Sequence, residues 1–230
     1  MVSKENPRPA TPRSRRPDGE TTRTHILETA GGLFAELGYE ATTAKQICLK
    51  AGCNLASVNY HFGGRDGLYA EVLKEAHNRF ISLDLLTEVA NSPLDARGKL
   101  GRIIDGMLAG LHSEGWHLRV FMREVVAPTA MFDQVFNTRI SPKLAIIRGL
   151  LSEITGISTE DQALARCFLS TFAPCSMLLV ANRHTVSRVM ADFWSADGEL
   201  DFEDLKTHIK TFAFAGLDAV AAARRAKAAN

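Results

Sequence analysis

Every periodic stretch of this chain repeats at the spacing of an α-helix, so the sequence predicts an all-α protein: a three-helix helix-turn-helix unit followed by a larger C-terminal helical bundle. Two observations carry this. Apolar residues recur at i, i+3, i+4 and i+7 from about Thr22 to Ala228, and no segment alternates with the period of two that a half-buried strand needs. Glycine, proline and small polar residues interrupt the pattern at helix-length intervals, where helices start and stop. The expected organisation is a disordered basic arm over residues 1–20, a helix-turn-helix domain over 21–69 and a C-terminal domain over 70–230.

In the arm, four of the eight prolines and almost no large apolar residue rule out a packed core. Over residues 2–16, Lys4, Arg8, Arg13, Arg15 and Arg16 face the single acid Glu5, so the arm either follows a polyanion or is a solvated tail. The first helix, from about Thr22 to Leu37, carries Ile26, Leu27, Ala30, Leu33, Phe34 and Leu37 and is closed by Gly38. Gly31-Gly32 in its middle is costly for a helix, so either another segment packs closely there or the helix is locally weak. Thr42 or Thr43 caps the next helix, whose face is Ala44, Ile47, Cys48 and Ala51. Gly52 stops it, and Asn54 caps a third helix with Leu55, Val58 and Phe62 turned inward.

A long helix is expected from Arg65 to Leu86, reaching out of the first domain as a connecting lever. Ser92-Pro93-Leu94-Asp95 reads as the start of a helix running to about His112. Further helices are expected over Trp116 to Val126, over 129–155 with an interruption at Ser141-Pro142, over 159–183 with a kink at Pro174, and over 202–228 after an Asp201 cap. Residues 185–194 form a short amphipathic piece.

The 230 residues are 46% hydrophobic, ample for a core, and the net charge is +1. With no apolar run long enough for a membrane span and no signal-peptide core, the chain is expected to be cytoplasmic, away from membranes, and associated with the nucleoid when bound to DNA. Cys48, Cys53, Cys167 and Cys175 show no metal-ligand spacing, so no metal and no cofactor are expected. Cys167 and Cys175 pack in a core or sense oxidants. Glycine-rich phosphate loops, HExxH, a nucleophile elbow and paired carboxylates in a Gly-rich cleft do not occur, and the seven histidines are scattered, so the chain does not read as an enzyme.

The outward face of the third helix carries the chemistry. Ala56, Ser57, Asn59, Tyr60 and His61 are small, amide, phenol and imidazole groups, which suit a DNA groove. Small residues allow close approach, an amide pairs with a base edge, and the phenol and imidazole donate to phosphates. Six basic and six acidic side chains over residues 21–80 mean that bulk charge does not attract DNA here, so oriented contacts must. The competing reading is a surface helical hairpin in a protein-interaction module that does not bind DNA.

The run Leu33-Phe34-Ala-Glu-Leu-Gly38-Tyr39, then Thr42-Thr43, Ala51-Gly52-Cys53 and Asn59-Tyr60-His61-Phe62, resembles the N-terminal domain of TetR-type bacterial transcriptional repressors over about 50 residues. Asn59 through Tyr69, with Arg123-Glu124-Val-Val-Ala-Pro128-Thr129 downstream, is similar to the subgroup with a CerR/CecR-type C-terminal domain. The resemblance implies a homodimer that places two recognition helices, residues 55–61, in successive major grooves of a near-palindromic double-stranded DNA operator. It implies that Thr43, Tyr60, His61 and Arg65 contact phosphates and that Lys45, Ser57 and Asn59 lie near bases. Arg65 stands where that family usually has lysine, and Gly64 where serine often caps the fourth helix.

Reading two half-sites requires a fixed spacing of the recognition helices, so a small apolar or amphipathic effector in the C-terminal bundle can release the operator by moving the connecting helix near His77 to Leu83. Candidate pocket walls are Met107, Leu111, Trp116, Phe121, Phe132, Phe172 and Met177, with His112, Arg123 and Glu124 as polar contacts. Aromatic and methionine residues at helical spacing also serve as plain core, and Arg123-Glu124 also suits a structural or inter-domain contact. The dimer interface is expected on the two long C-terminal helices, 159–183 and 202–228, packed as a four-helix bundle.

Overall fold

Helix ends in this protein are set by side chains that satisfy the free backbone groups of each terminus. The structure, a computed structural model, describes residues 17–109, 115–180, 183–190 and 201–228, and among these twelve α-helices and no strand occur. The first four are α1 (Pro17–Leu37), α2 (Ala44–Ala51), α3 (Leu55–Phe62) and α4 (Arg65–Phe80). They are followed by α5 (Leu83–Asn91), α6 (Ala96–Ala109), α7 (Trp116–Val126) and α8 (Ala130–Val135). A wide π-type turn over Phe136–Ile140 leads into α9 (Ser141–Thr155), and α10 (Gln162–Val180), α11 (Arg183–Val189) and α12 (Phe202–Ala228) complete the chain. Among the described residues no helix is long and apolar enough to cross a membrane.

Several boundaries differ from the sequence expectation. α1 begins at Pro17, so residues 17–20 are helical rather than part of the arm; residues 1–16 lie outside the described residues. Asp95, not Ser92, starts α6: its carboxylate accepts the Gly98 N–H at 2.8 Å, while Ser92 closes α5 by donating to the Val89 carbonyl. α10 begins at Gln162 rather than at 159, with Asp161 accepting the Ala163 N–H at 2.8 Å, and the helix continues through Pro174.

The largest departure is at the connecting helix. α4 stops at Phe80 because Ile81 is extended and Ser82 caps a separate α5, its hydroxyl accepting the Leu85 N–H at 3.0 Å. Lys143 of α9 reaches into this break. Its ammonium donates to the carbonyls of Ile81 at 2.5 Å and His77 at 3.4 Å, capping the end of α4 with a cation as the helix dipole favours.

Two apolar cores organise the packing. The first joins Ile26, Phe34, Ile47, Val58, Leu68 and Val72 of α1 to α4, and it also takes in Val120 of α7 and Val135 of α8. The second joins Leu86, Leu100, Ile103, Ile104, Leu108, Leu151 and Leu164 with Cys167 and Cys175. Both thiols are buried, and burial pushes them up, that of Cys175 to about 11, which disfavours the reactive thiolate.

Gly31 is explained by α7. A β-carbon at position 31 would lie 2.3 Å from the Trp116 indole, whereas one at Gly32 would meet nothing within 4 Å. The indole N–H donates to Glu28 at 2.8 Å, and Arg79 donates to the same carboxylate. Burial works against the Glu28 charge, yet the Trp116 and Arg79 hydrogen bonds hold its carboxyl below the usual range. The close-packing alternative therefore holds for Gly31, and the neighbour is a side chain.

Candidate nucleic-acid interface

The turn between α2 and α3 is built from local hydrogen bonds. Thr43 and Gln46 form a reciprocal capping box at the start of α2, and Gly52 closes that helix at φ 61°. Cys53 N–H donates to the Cys48 carbonyl at 3.0 Å, and the Asn54 side chain accepts the Ser57 N–H at 2.9 Å. Gly63 ends α3 at φ 74°. Both ends of α3 are thus fixed without a contact from its outer face, and only Val58 and Phe62 are buried.

That outer face presents Ala56 and Asn59, both exposed, and Tyr60, 85% exposed, with His61 half-buried beside it and its ring 4.9 Å from the Tyr60 ring. Lys45 and Thr43 are exposed at the near end of α2. Leu55 does not face the core as the spacing suggested; it is 53% exposed, because side chains of a first helical turn lean back beyond the packed face. Leu49, 84% exposed one turn after Lys45, joins this surface and was not singled out from sequence, although it lies off the apolar stripe of α2.

Three of the seven DNA-facing candidates are already engaged, Thr43 among them through the capping box at the start of α2. The Ser57 hydroxyl donates to Asn54 Oδ1 at 3.0 Å and so belongs to the helix cap. Arg65 donates to the Thr42 carbonyl at 3.1 Å, lies 3.6 Å from Asp66 and stacks over the Tyr39 ring at 4.2 Å. It ties the start of α4 to the α1–α2 loop. Gly64 caps α4 without a side-chain hydrogen bond.

The ten effector candidates do not form one wall. Met107 and Phe172 are buried in the second core. Phe121 and Phe132 face each other at 6.4 Å beside His77. Trp116 lies against α1, and Met177 is 65% exposed on the far side of α10 from the buried Cys175. Leu111 and His112 lie outside the described residues.

Arg123 and Glu124 separate from each other and grip the head. Arg123 donates to the carbonyls of Ala35 at 3.1 Å and Glu36 at 2.9 Å, the exposed end of α1. Glu124, 1% exposed, accepts the Tyr69 hydroxyl at 2.5 Å and the Thr129 N–H at 2.8 Å. Burial and the Glu124 hydrogen bond push the Tyr69 hydroxyl well above its usual range, so it stays a donor. Both residues line a cleft of about 610 Å³ at the junction of head and bundle, with Tyr39, Tyr69 and Met122. Of the sequence alternatives, the inter-domain contact is the one present.

Two buried polar residues escaped the sequence reading as structural centres. Lys143 sits on the same stripe of α9 as Ile147, Leu150 and Leu151, and His77 follows Val72, Leu73 and Ala76 on α4. A charge or imidazole on an apolar stripe was the available signal.

Comparison with known proteins agrees with this geometry. A family profile described as "Bacterial regulatory proteins, tetR family" matches residues 26–72, and one described as "HTH-type transcriptional dual regulator CecR, C-terminal domain" matches residues 96–217, more than half of the chain. The chain is 25% identical over 202 residues to the dual regulator CecR of Shigella flexneri, covering 83% of this chain and 86% of that protein. It is 25% identical over 134 residues to the HTH-type regulator YttP of Bacillus subtilis, covering 58% of this chain and 64% of YttP. A TetR-like regulator from Rhodococcus sp. RHA1 superposes with a TM-score of 0.62 at 21% identity, over 89% of this chain and 98% of its own. FadR from Bacillus subtilis, solved with stearoyl-CoA, gives 0.61 at 19% identity, over 84% and 98%. The chain belongs to the TetR family of transcriptional regulators and carries a CecR-type C-terminal domain.

Proposed function

We propose that the protein is a homodimeric repressor that reads a palindromic operator and leaves it when a small apolar or amphipathic effector binds. The observation that carries this reading is the outer face of α3: a helix fixed at both ends whose exposed side chains at Asn59 and Tyr60 take no part in either cap. Asn59 and Lys45 lie near base edges in this account, and Thr43, Tyr60 and His61 position the head on phosphates. Arg65 and Ser57 act through the fold, by holding the loop and the cap.

Residues 21–69 read DNA and residues 70–230 dimerise and sense. The dimer forms on the outer faces of α10 and α12, where the large apolar side chains Leu169, Met177 and Phe212 are 63%, 65% and 71% exposed. α7 transmits the effector signal. One side of it places Phe121 against His77 and Phe80, and the other places Val120, Arg123 and Glu124 on the head. A shift of α7 therefore moves α1 and α4 with it. The protein works in the cytoplasm, on the nucleoid when bound, without catalysing a reaction.

A gel shift against DNA upstream of the protein's own gene tests this. Asn59→Ala should weaken binding by about 1–3 kcal/mol with the melting temperature unchanged. Equal binding of scrambled DNA by both forms would return the chain to the interaction-module reading.

A further inference from the structure

Lys143 occupies a position where a lysine is costly. Its side chain is 2% exposed, and among the described residues no carboxylate pairs with it. The ammonium instead donates to the Ile81 and His77 carbonyls and to His77 Nδ1 at 2.9 Å. Burial, with Arg139 nearby and only Asp84 opposing, pulls the ammonium down to about 8. Burial and Lys143 pull His77 down to about 3, so the imidazole stays neutral and supplies no counter-charge. A buried cation held only by dipoles gains from an anion of good geometry more than an exposed one does.

Aromatic rings lead from this cation to the surface. The His77 ring meets Phe121 at 5.1 Å, Phe121 meets Phe80 at 5.5 Å and Phe132 at 6.4 Å, and Phe132 meets Phe136 at 6.0 Å. Phe80, Phe121 and Phe132 are half-buried and Phe136 is 37% exposed. The strip is apolar along its length and cationic at its inner end.

We propose that this is a binding site for an amphipathic carboxylate, whose carboxylate pairs with Lys143 while its apolar body lies along Phe121, Phe132 and Phe136. The proposal rests on the effector-responsive reading above and names the effector's chemistry. It also supplies the coupling. A carboxylate that takes the Lys143 donors removes the cap from the last carbonyls of α4, and α4 carries Leu68, Tyr69 and Val72 in the core of the head. Fatty acids and aryl-alkanoic acids share this chemistry, so both are tried.

Calorimetry on the full chain without DNA, with decanoate, 4-phenylbutyrate, 1-decanol and decylamine, reads the site independently of any operator. At least one carboxylate should bind at least 10-fold more tightly than decanol, with decylamine weakest; the stronger of the two acids identifies the source. Lys143→Met should abolish that preference and Lys143→Arg should keep it. Phe136→Ser, at a position exposed enough to fold, should weaken carboxylate binding at least 5-fold, which decides the matter if Lys143→Met does not fold. Equal binding of decanoate and decanol, wild-type behaviour of a folded Lys143→Met, or no binding by any probe overturns the site while leaving the DNA-reading account untouched. Failure of operator binding with carboxylate binding intact overturns the regulatory reading instead.

Discussion

Alanine at position 31 should destabilise this protein, and alanine at position 32 should stabilise it. In a helix interior, exchanging glycine for alanine contributes about 1 kcal/mol, which is the full expectation for Gly32→Ala because nothing lies near the added methyl. At position 31 the methyl would sit 2.3 Å from two atoms of the Trp116 indole. The ring must retreat by roughly 1 Å or more, an overpacking cost of about 1–3 kcal/mol, and the retreat strains its hydrogen bond to the Glu28 carboxylate, which contributes about 1.5–3 kcal/mol. Set against the same propensity gain, Gly31→Ala should lose about 2 kcal/mol. At roughly 2–4 °C per kcal/mol for a chain of this size, the two variants should melt on opposite sides of wild type. In a Trp116→Ala background Gly31→Ala should turn stabilising. If both single variants raise the melting temperature equally, Trp116 does not seat on α1 and the junction described above is wrong.

Two further outcomes follow from the buried imidazole and the outer helices. His77 has its folded-state value depressed to about 3 from an ordinary 6.5, so its contribution is fully present above pH 6.5 and is lost as pH falls below it. Urea unfolding should show about 2 kcal/mol less stability from this group at pH 5 than at pH 6.5, and His77→Phe should remove that portion of the slope; an unchanged slope would mean the imidazole is solvated. Phe212→Asp, at a 71% exposed position on α12, should convert a dimer to monomers in sedimentation velocity without unfolding the chain, and a wild-type monomer would remove the interface altogether.

Helix ends were legible wherever a side chain or a glycine makes the cap itself: Thr43, Gly52, Asn54 and Asp201 all act where their residue types indicate. The break after Phe80 was not legible. The apolar stripe of α4 continues in register to Leu83, yet Ile81 is extended and Ser82 starts a new helix, and the carbonyls freed at the break are capped by Lys143, 62 residues from Ile81. Periodicity records which face is buried and carries no information about a cap delivered from another helix.

The same division separates the two sets of site residues. Asn59 and Tyr60 could be placed outward because Val58 and Phe62 fix the inner face of α3. Trp116, Met177 and Phe172 share a composition and fall on three different surfaces, because an aromatic or methionine residue on a stripe says nothing of its neighbour. Arg123 and Glu124 were visible as a charged pair. Their division between α1 and α4 required the fold.

In-vitro selection of bound DNA followed by footprinting tests the central claim most directly, since it reads both heads of the proposed dimer at once. The account predicts a near-palindrome whose half-sites lie one helical turn apart, about 34–36 Å, or a multiple of it, with protection lost in Asn59→Ala. Selected sequences without dyad symmetry, or protection of a single half-site, would contradict it.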